Sequence, residues 1–354
     1  MRVLTLVAAL IMSSPAAEAS LLPERDIAQA AIDGYIRPAF HQFAEEAGSL
    51  RLTVEALCKQ PSSEALASGQ SQFKSTVVAF SKVEFVRIGP LGVGDRLERL
   101  LFWPDRKGIA LRQVQGALAE KDETAASSDT LGGKSVAMQG LVALEYLLFG
   151  TGSDALATGD DYRCRYALAS STLISDMAAN VDAEWADPVG VARHLLDPKA
   201  EYDDYRTSTE VLEKLAATLI HGTEAIRDQR VTPIIGDAQG AAKPKSALFW
   251  RSGMTASTLA ANFEGMEAFF NAARLPEAIG KDNEWVSNGA LFEFSNAERG
   301  VARLDGITGE AVGEEQLKGL RYLVIVTKSL DTLLGENLAA ALGLSVGFSA
   351  LDGD

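Results

Sequence analysis

The stretch Ser135–Gly150, SVAMQGLVALEYLLFG, constrains this chain more than any other part of it. Val136, Met138, Leu141, Val142, Leu144, Leu147, Leu148 and Phe149 would cover most of the surface of one helix. A helix that is apolar all round has to be buried. It is too short and too interrupted to cross a bilayer, which takes about 20 apolar residues. Gly150 is expected to stop it as a left-handed residue that closes the last turn. Gly140, inside the run, costs roughly 1 kcal/mol against alanine, which implies close approach by another helix. One carboxylate, Glu145, sits in this apolar stretch. Left ionised and alone it would be too costly to bury, so the fold has to supply a partner.

The rest of the chain follows helical spacing. Helices are expected over Asp26–Leu57 (with Pro38 kinking or dividing it), Gln70–Ile88, Ile109–Glu120, Cys164–Trp185, Tyr202–Asp228, Met254–Arg274, Glu284–Arg299 and Glu314–Leu342. A short piece is expected over Gly92–Phe102, and loops over Asp122–Gly133, Thr151–Asp161 and Val231–Ser246. Leu320–Val326 is rich in β-branched residues, but its flanks keep helical period and it reads as buried helix. There are no hairpin signals and no βαβ alternation. The expected fold class is all-α, in two helical bundles spanning 20–190 and 200–354 and divided between Asp187 and Glu201.

Met1–Ala19 reads as a cleavable signal peptide: Arg2, an apolar run Val3–Met12 and an Ala17-Glu18-Ala19 cleavage site. No cysteine lies near that site, so a lipid anchor is not expected, and the periplasm is the expected compartment. The chain has two cysteines, Cys58 and Cys164. An even pair in an oxidising space is expected to form a disulfide. It would close a loop of more than about 100 residues, worth roughly 4–5 kcal/mol in the chain-entropy view. The net charge of −15 argues against nucleic acid and anionic membrane surfaces, and is compatible with attracting cations.

Gly140-Leu141-Val142-Ala143-Leu144-Glu145 resembles the G-x-H-x-x-E motif of the imelysin family, a group of bacterial envelope proteins, with Val142 where that motif has histidine. VEFVRIGPL (Val83–Leu91), LFWPDRKG (Leu101–Gly108) and GFSALDGD (Gly347–Asp354) resemble the same family in the same order. The resemblance covers essentially the whole chain after the signal peptide and is closest to a branch lacking the motif histidine. It implies two related bundles with a site between them, and a non-catalytic binding protein associated with iron or metal uptake. The alternatives are a metallopeptidase, the activity for which the family was first named, and a periplasmic scaffold for an envelope partner.

Positions 142 and 145 share a helix face, as paired metal ligands would. Val142 cannot ligate, so a divalent metal, iron or zinc, would have Glu145 with Glu84 and His41 as its candidate ligands. The other reading pairs Glu145 with a cation, either Arg87 or Arg251. Glu84 and Arg87, three apart, can also pair with each other. Trp103, Asp105, Arg251 and Ser252 are candidates for the opposite wall of a binding cleft, although Ser252 is also placed to cap the following helix. His221-Gly222-Thr223-Glu224 lacks the second histidine of a zinc-peptidase helix, and His194 reads as packing or surface. The chain has no G-x-S-x-G, no Gly-rich phosphate loop and no C-x-x-C.

Overall fold

The computed structural model describes residues 20–236 and 241–344; the stretch Met1–Ala19, expected to be a signal peptide, and the C-terminal Gly347–Asp354 lie outside the described residues. All regular structure among the described residues is helical. Helix α1 (Glu24–Ala31) runs through a π-turn (Ile32–Ile36) into α2 (Arg37–Lys59). Pro38 therefore does not divide the helix. Its ring cannot donate to the carbonyl one turn back, and the wider turn just before it absorbs the mismatch. Helix α3 (Ser63–Val83) starts earlier than its period suggests, because Ser62 caps it by accepting from the Ala65 N–H at 3.1 Å.

Then come α4 (Arg96–Leu100), α5 (Ile109–Glu120), α6 (Ser128–Leu131, inside the stretch expected as loop), α7 (Gly140–Phe149), α8 (Asp161–Ala186) and α9 (Val191–Leu196). Helix α10 (Ser208–Ala225) is capped by Thr207, which fixes its start, and runs through a π-turn (Ile226–Val231) into α11 (Thr232–Ile235). The second half closes with α12 (Thr255–Ala272), α13 (Leu275–Ala278), α14 (Glu284–Val301), α15 (Glu314–Asp331), a π-turn (Thr332–Asn337) and α16 (Leu338–Ala341). Leu320–Val326 lies within α15.

Helix α2 packs between α3 and α8, and α7 packs on α8 and α3. In the second group α12 packs on α14, α14 on α15 and α15 on α10. The groups meet where α12 crosses α3 and where α1 lies on α10. The α1–α2 helix thus serves both, and one apolar core runs through them. At the α3–α12 crossing, Tyr35, Phe85 and Phe269 meet with ring centroids 5.8–6.1 Å apart. The Tyr35 hydroxyl donates to the Lys82 carbonyl at 2.6 Å. Gly265 of α12 faces the same spot, and a Cβ there would sit 2.4 Å from that carbonyl oxygen.

The central helix is shorter than the apolar run. Val136–Met138 forms a 3₁₀ turn, and α7 begins at Gly140 with φ of +74°. A Cβ on Gly140 would lie 2.3 Å from the Arg99 carbonyl oxygen, so the close neighbour is the backbone of α4. Gly150 is not left-handed: its φ is −76° and ψ 175°. It is needed for space, since a Cβ would meet the Tyr146 carbonyl oxygen at 2.5 Å. Buried Arg163 ends the helix by donating to the carbonyls of Tyr146, Leu147 and Thr151 at 2.9–3.0 Å.

Cys58 of α2 and Cys164 of α8 form a disulfide, with Cα atoms 5.5 Å apart at a sequence separation of 106. Peptide mapping without reductant should recover the linked pair, and reduction should lower the unfolding free energy by about 2–5 kcal/mol; two free thiols in protein from an oxidising compartment would refute the pairing. Gly265→Ala should cost roughly 2–4 kcal/mol in urea unfolding, because the new methyl meets backbone. Gly116→Ala, inside α5 with open space around its Cβ position, should stabilise by about 0.5–1 kcal/mol.

Candidate functional site

Glu145 lies on the first-half side of a cavity of about 230 Å³. Val142, Ala143, Glu145 and Tyr146 of α7 form one wall, and Trp103–Arg106 with Ala110, Leu111 and Val114 of α5 form the next. The facing wall comes from the second half, from Pro233 of α11 and the segment Lys245–Arg251.

That segment is tightly turned. Phe249 holds φ of +56° and Gly253 +72°. A bulky residue in the left-handed region costs about 1–2 kcal/mol. The Phe249 ring is buried against Phe73, with centroids 5.8 Å apart, and the Met254 N–H donates to the Phe249 carbonyl at 3.0 Å. The Thr255 hydroxyl donates to the Leu248 carbonyl at 2.8 Å. The turn aims Ser252 at α7.

Glu145 is 1% exposed. Its Oε1 accepts from the Ser252 N–H and from the Ser252 hydroxyl, both at 2.9 Å. Arg251 Nη1 stands 3.6 Å from Oε2. Ser252 therefore does not cap α12, whose N-cap is Met254; its donors serve the carboxylate. Burial pushes the Glu145 carboxyl pKa above the usual range, with the Ser252 donors and the Arg251 charge opposing it. The Ser252 hydroxyl has one proton and a second acceptor in reach, the Phe249 carbonyl at 3.1 Å. The Arg251 guanidinium stacks 4.3 Å from the Trp250 ring centre and 5.3 Å from that of Tyr146. Trp103 donates its indole N–H to the Gln229 carbonyl at 3.0 Å. Asp105 gives both oxygens to the start of α5, accepting from the Ile109 N–H at 2.7 Å and the Ala110 N–H at 2.9 Å.

The structure thus brings Glu145, Arg251, Ser252, Trp103 and Asp105 together. Glu84 and Arg87 lie elsewhere. Glu84, buried at the end of α3, is held by Arg230 and by the Asn262 amide, which also donates to the Ser81 carbonyl at 2.7 Å. Arg87 forms no close ion pair with Glu84 or Glu145 among the described residues, although the Glu84 charge still acts on it; it lines a second cavity with Glu184, Asp187, Tyr205 and Lys214. His41 is on the outward face of α2, 63% exposed, with Asp182 at 3.0 Å and Glu45 at 3.5 Å. It does not join Glu84 or Glu145, because Phe40 and Phe43 take the inward face of that helix. His221 pairs with Glu224 at 3.2 Å, and His194 stacks on Tyr202.

Reasoning from the sequence missed Tyr146, Trp250, Lys245 and Arg106 in the cavity wall, and Arg230, Asn262 and Arg163 in the buried polar contacts. Tyr146 and Trp250 are chain neighbours of residues already singled out, and that adjacency was a usable signal. For Arg230 and Asn262 no local signal exists.

A divalent cation does not fit this donor set. Oε1 of Glu145 already receives two donors and Oε2 faces a guanidinium, and both Asp105 oxygens are occupied. Among the described residues no group of three or more His, Cys, Asp or Glu side chains could hold a metal ion. No helix among them is long and apolar enough to cross a membrane.

Fold and site together define an all-helical bundle protein with an enclosed polar contact between residues from its two halves. The imelysin family model matches residues 36–320, and the chain belongs to that family. A crystal structure of an imelysin-like protein from Psychrobacter arcticum superposes with a TM-score of 0.78 at 17% identity, covering 93% of this chain and 99% of that one. A putative iron-regulated protein A precursor from Parabacteroides distasonis superposes with a TM-score of 0.70 at 12% identity, covering 91% and 97%. No match was found among curated proteins.

The raised Glu145 pKa sets a pH dependence. Protonation favours the folded state, so the contribution is fully present below the ordinary carboxylate value of 4.5 and is lost as pH rises through the raised one. Unfolding free energies of wild type and Glu145→Gln should diverge in favour of the Gln variant as pH rises above 4.5. A difference independent of pH would show that the carboxyl titrates as in the unfolded chain. Ser252→Ala should cost about 1–3 kcal/mol, since it removes a donor from a buried carboxylate.

Proposed function

We propose that this protein is an exported, non-catalytic binding protein that serves iron or metal uptake by holding a small ligand in the Glu145 cavity. The observation that carries the reading is the state of Glu145. Its carboxylate is engaged by Ser252 and Arg251 across the cavity, so it organises a wall and leaves the ligand to the groups around it. A volume of about 230 Å³, below the roughly 300–1,000 Å³ of drug-sized sites, suits a small molecule. The signal-peptide pattern at Met1–Ala19 supports export to the periplasm. The link to iron rests on the family and on the iron-regulated protein from Parabacteroides distasonis whose fold this chain shares. Peptidase chemistry at a catalytic zinc would need about three protein ligands and an open position, which the groups around Glu145 do not provide.

The test is native mass spectrometry of protein released from the periplasm by osmotic shock. Wild type should carry a small ligand, and Val142→Trp, which fills the cavity from α7, should lose it while keeping its helical circular dichroism spectrum. Retention of the ligand by Val142→Trp would move the binding site elsewhere. Titration with zinc and ferrous iron should give the same weak binding for wild type and Glu145→Gln; tight binding abolished by the Gln substitution would make Glu145 a metal ligand and overturn the reading.

A further inference from the structure

The charges around the cavity are unevenly committed. Its two carboxylates, Glu145 and Asp105, are occupied by donors within the protein. Its three cations keep hydrogen-bond donors unused, even where one of them is an ion partner of Glu145. Arg251 is 3.6 Å from Glu145, and none of its guanidinium donors makes a hydrogen bond among the described residues. Arg106 and Lys245 stand exposed at the rim with no acidic partner among the described residues. A guanidinium has five donors in a fixed plane that matches a carboxylate. Here that plane is already held by stacking on Trp250 and Tyr146, so little side-chain freedom remains to be lost on binding. The wall beside it is apolar and carries the rings of Trp103 and Trp250 with the side chain of Val142.

We infer that the cavity takes a small organic anion with a flat apolar body, its carboxylate on Arg251 and its body against the two tryptophans. This rests on the cavity being the binding site, as proposed above. Arg251 is the anchor. Glu145 is a positioning residue: it holds Arg251 from the protein side while the other guanidinium edge stays open to the ligand. Arg106 and Lys245 add attraction at the mouth, which in a protein of net charge −15 makes the site locally favourable to an anion that the whole molecule repels.

The experiment is calorimetric titration with benzoate and with benzylammonium, a cation of similar shape, on wild type, Arg251→Lys, Arg251→Gln and Val142→Trp, with thermal melts to show that each variant is folded. Wild type should bind benzoate and take benzylammonium at least about tenfold more weakly. Arg251→Gln should weaken benzoate by roughly tenfold or more, and Arg251→Lys, which keeps the charge and loses the fork, should fall between them. Quenching of tryptophan fluorescence should follow the same order. No binding of benzoate by folded wild type at millimolar concentration, equal affinity for the two probes, or benzoate binding unchanged in Arg251→Gln would each overturn the inference. If wild type carries a neutral or cationic ligand that Val142→Trp loses, the anion is refuted and the cavity stands. If Val142→Trp binds benzoate as wild type does, the cavity itself is refuted as the site.

Discussion

A carboxylate in the middle of an apolar helix is the constraint on which the rest of this structure depends. Helix α7 can be buried only if Glu145 finds donors, because an unpaired buried charge costs several kcal/mol. No donor of α7 itself serves that carboxylate. The donors come from Ser252, 107 residues further along the chain, and from the charge of Arg251. Burying α7 therefore requires the second half of the chain to have folded a tight turn in the right place. The left-handed Phe249 and the Gly253 that follows are the local cost of that turn.

The α3 end repeats the solution. Glu84, also from the first half, is met by Arg230 and Asn262 from the second, at sequence separations of 146 and 178. Between the two polar contacts the halves meet through aromatic rings and through Gly265, which lets α12 touch the backbone of α3. Apolar packing of this kind tolerates sliding; two buried charges with fixed partners do not. The buried pairs are weak sources of net stability and strong sources of register. The Arg230 Nη1 and Asn262 Oδ1 atoms are buried without a hydrogen-bond partner from the protein among the described residues.

This division explains what could be read from the chain. Helices such as α8, α12, α14 and α15 were legible because their apolar residues recur at helical spacing whatever they pack against. Ends were less legible. The start of α3 depends on Ser62 reaching one N–H, and the start of α7 on a left-handed Gly140 wedged against α4. Gly150 looked like a left-handed stop because glycine commonly is one; here the Tyr146 carbonyl and ring leave no room for a side chain. The need for a partner to Glu145 followed from burial alone, and Arg251 and Ser252 were within reach of inference as a polar pair beside a helix start. Arg230 and Asn262 were not, since nothing local distinguishes them from any arginine in a helix or asparagine on an amphipathic face.

Val142 stands where helix α7 meets the cavity. Positions 142 and 145 share a face of α7, and that face is a cavity wall. A second ligating side chain at 142 would have given the wall two donors to a cation. Valine makes the wall apolar, and the Glu145 carboxylate is held by Ser252 and Arg251. The negative group of this wall is satisfied from within the protein, by the Ser252 donors and the Arg251 charge.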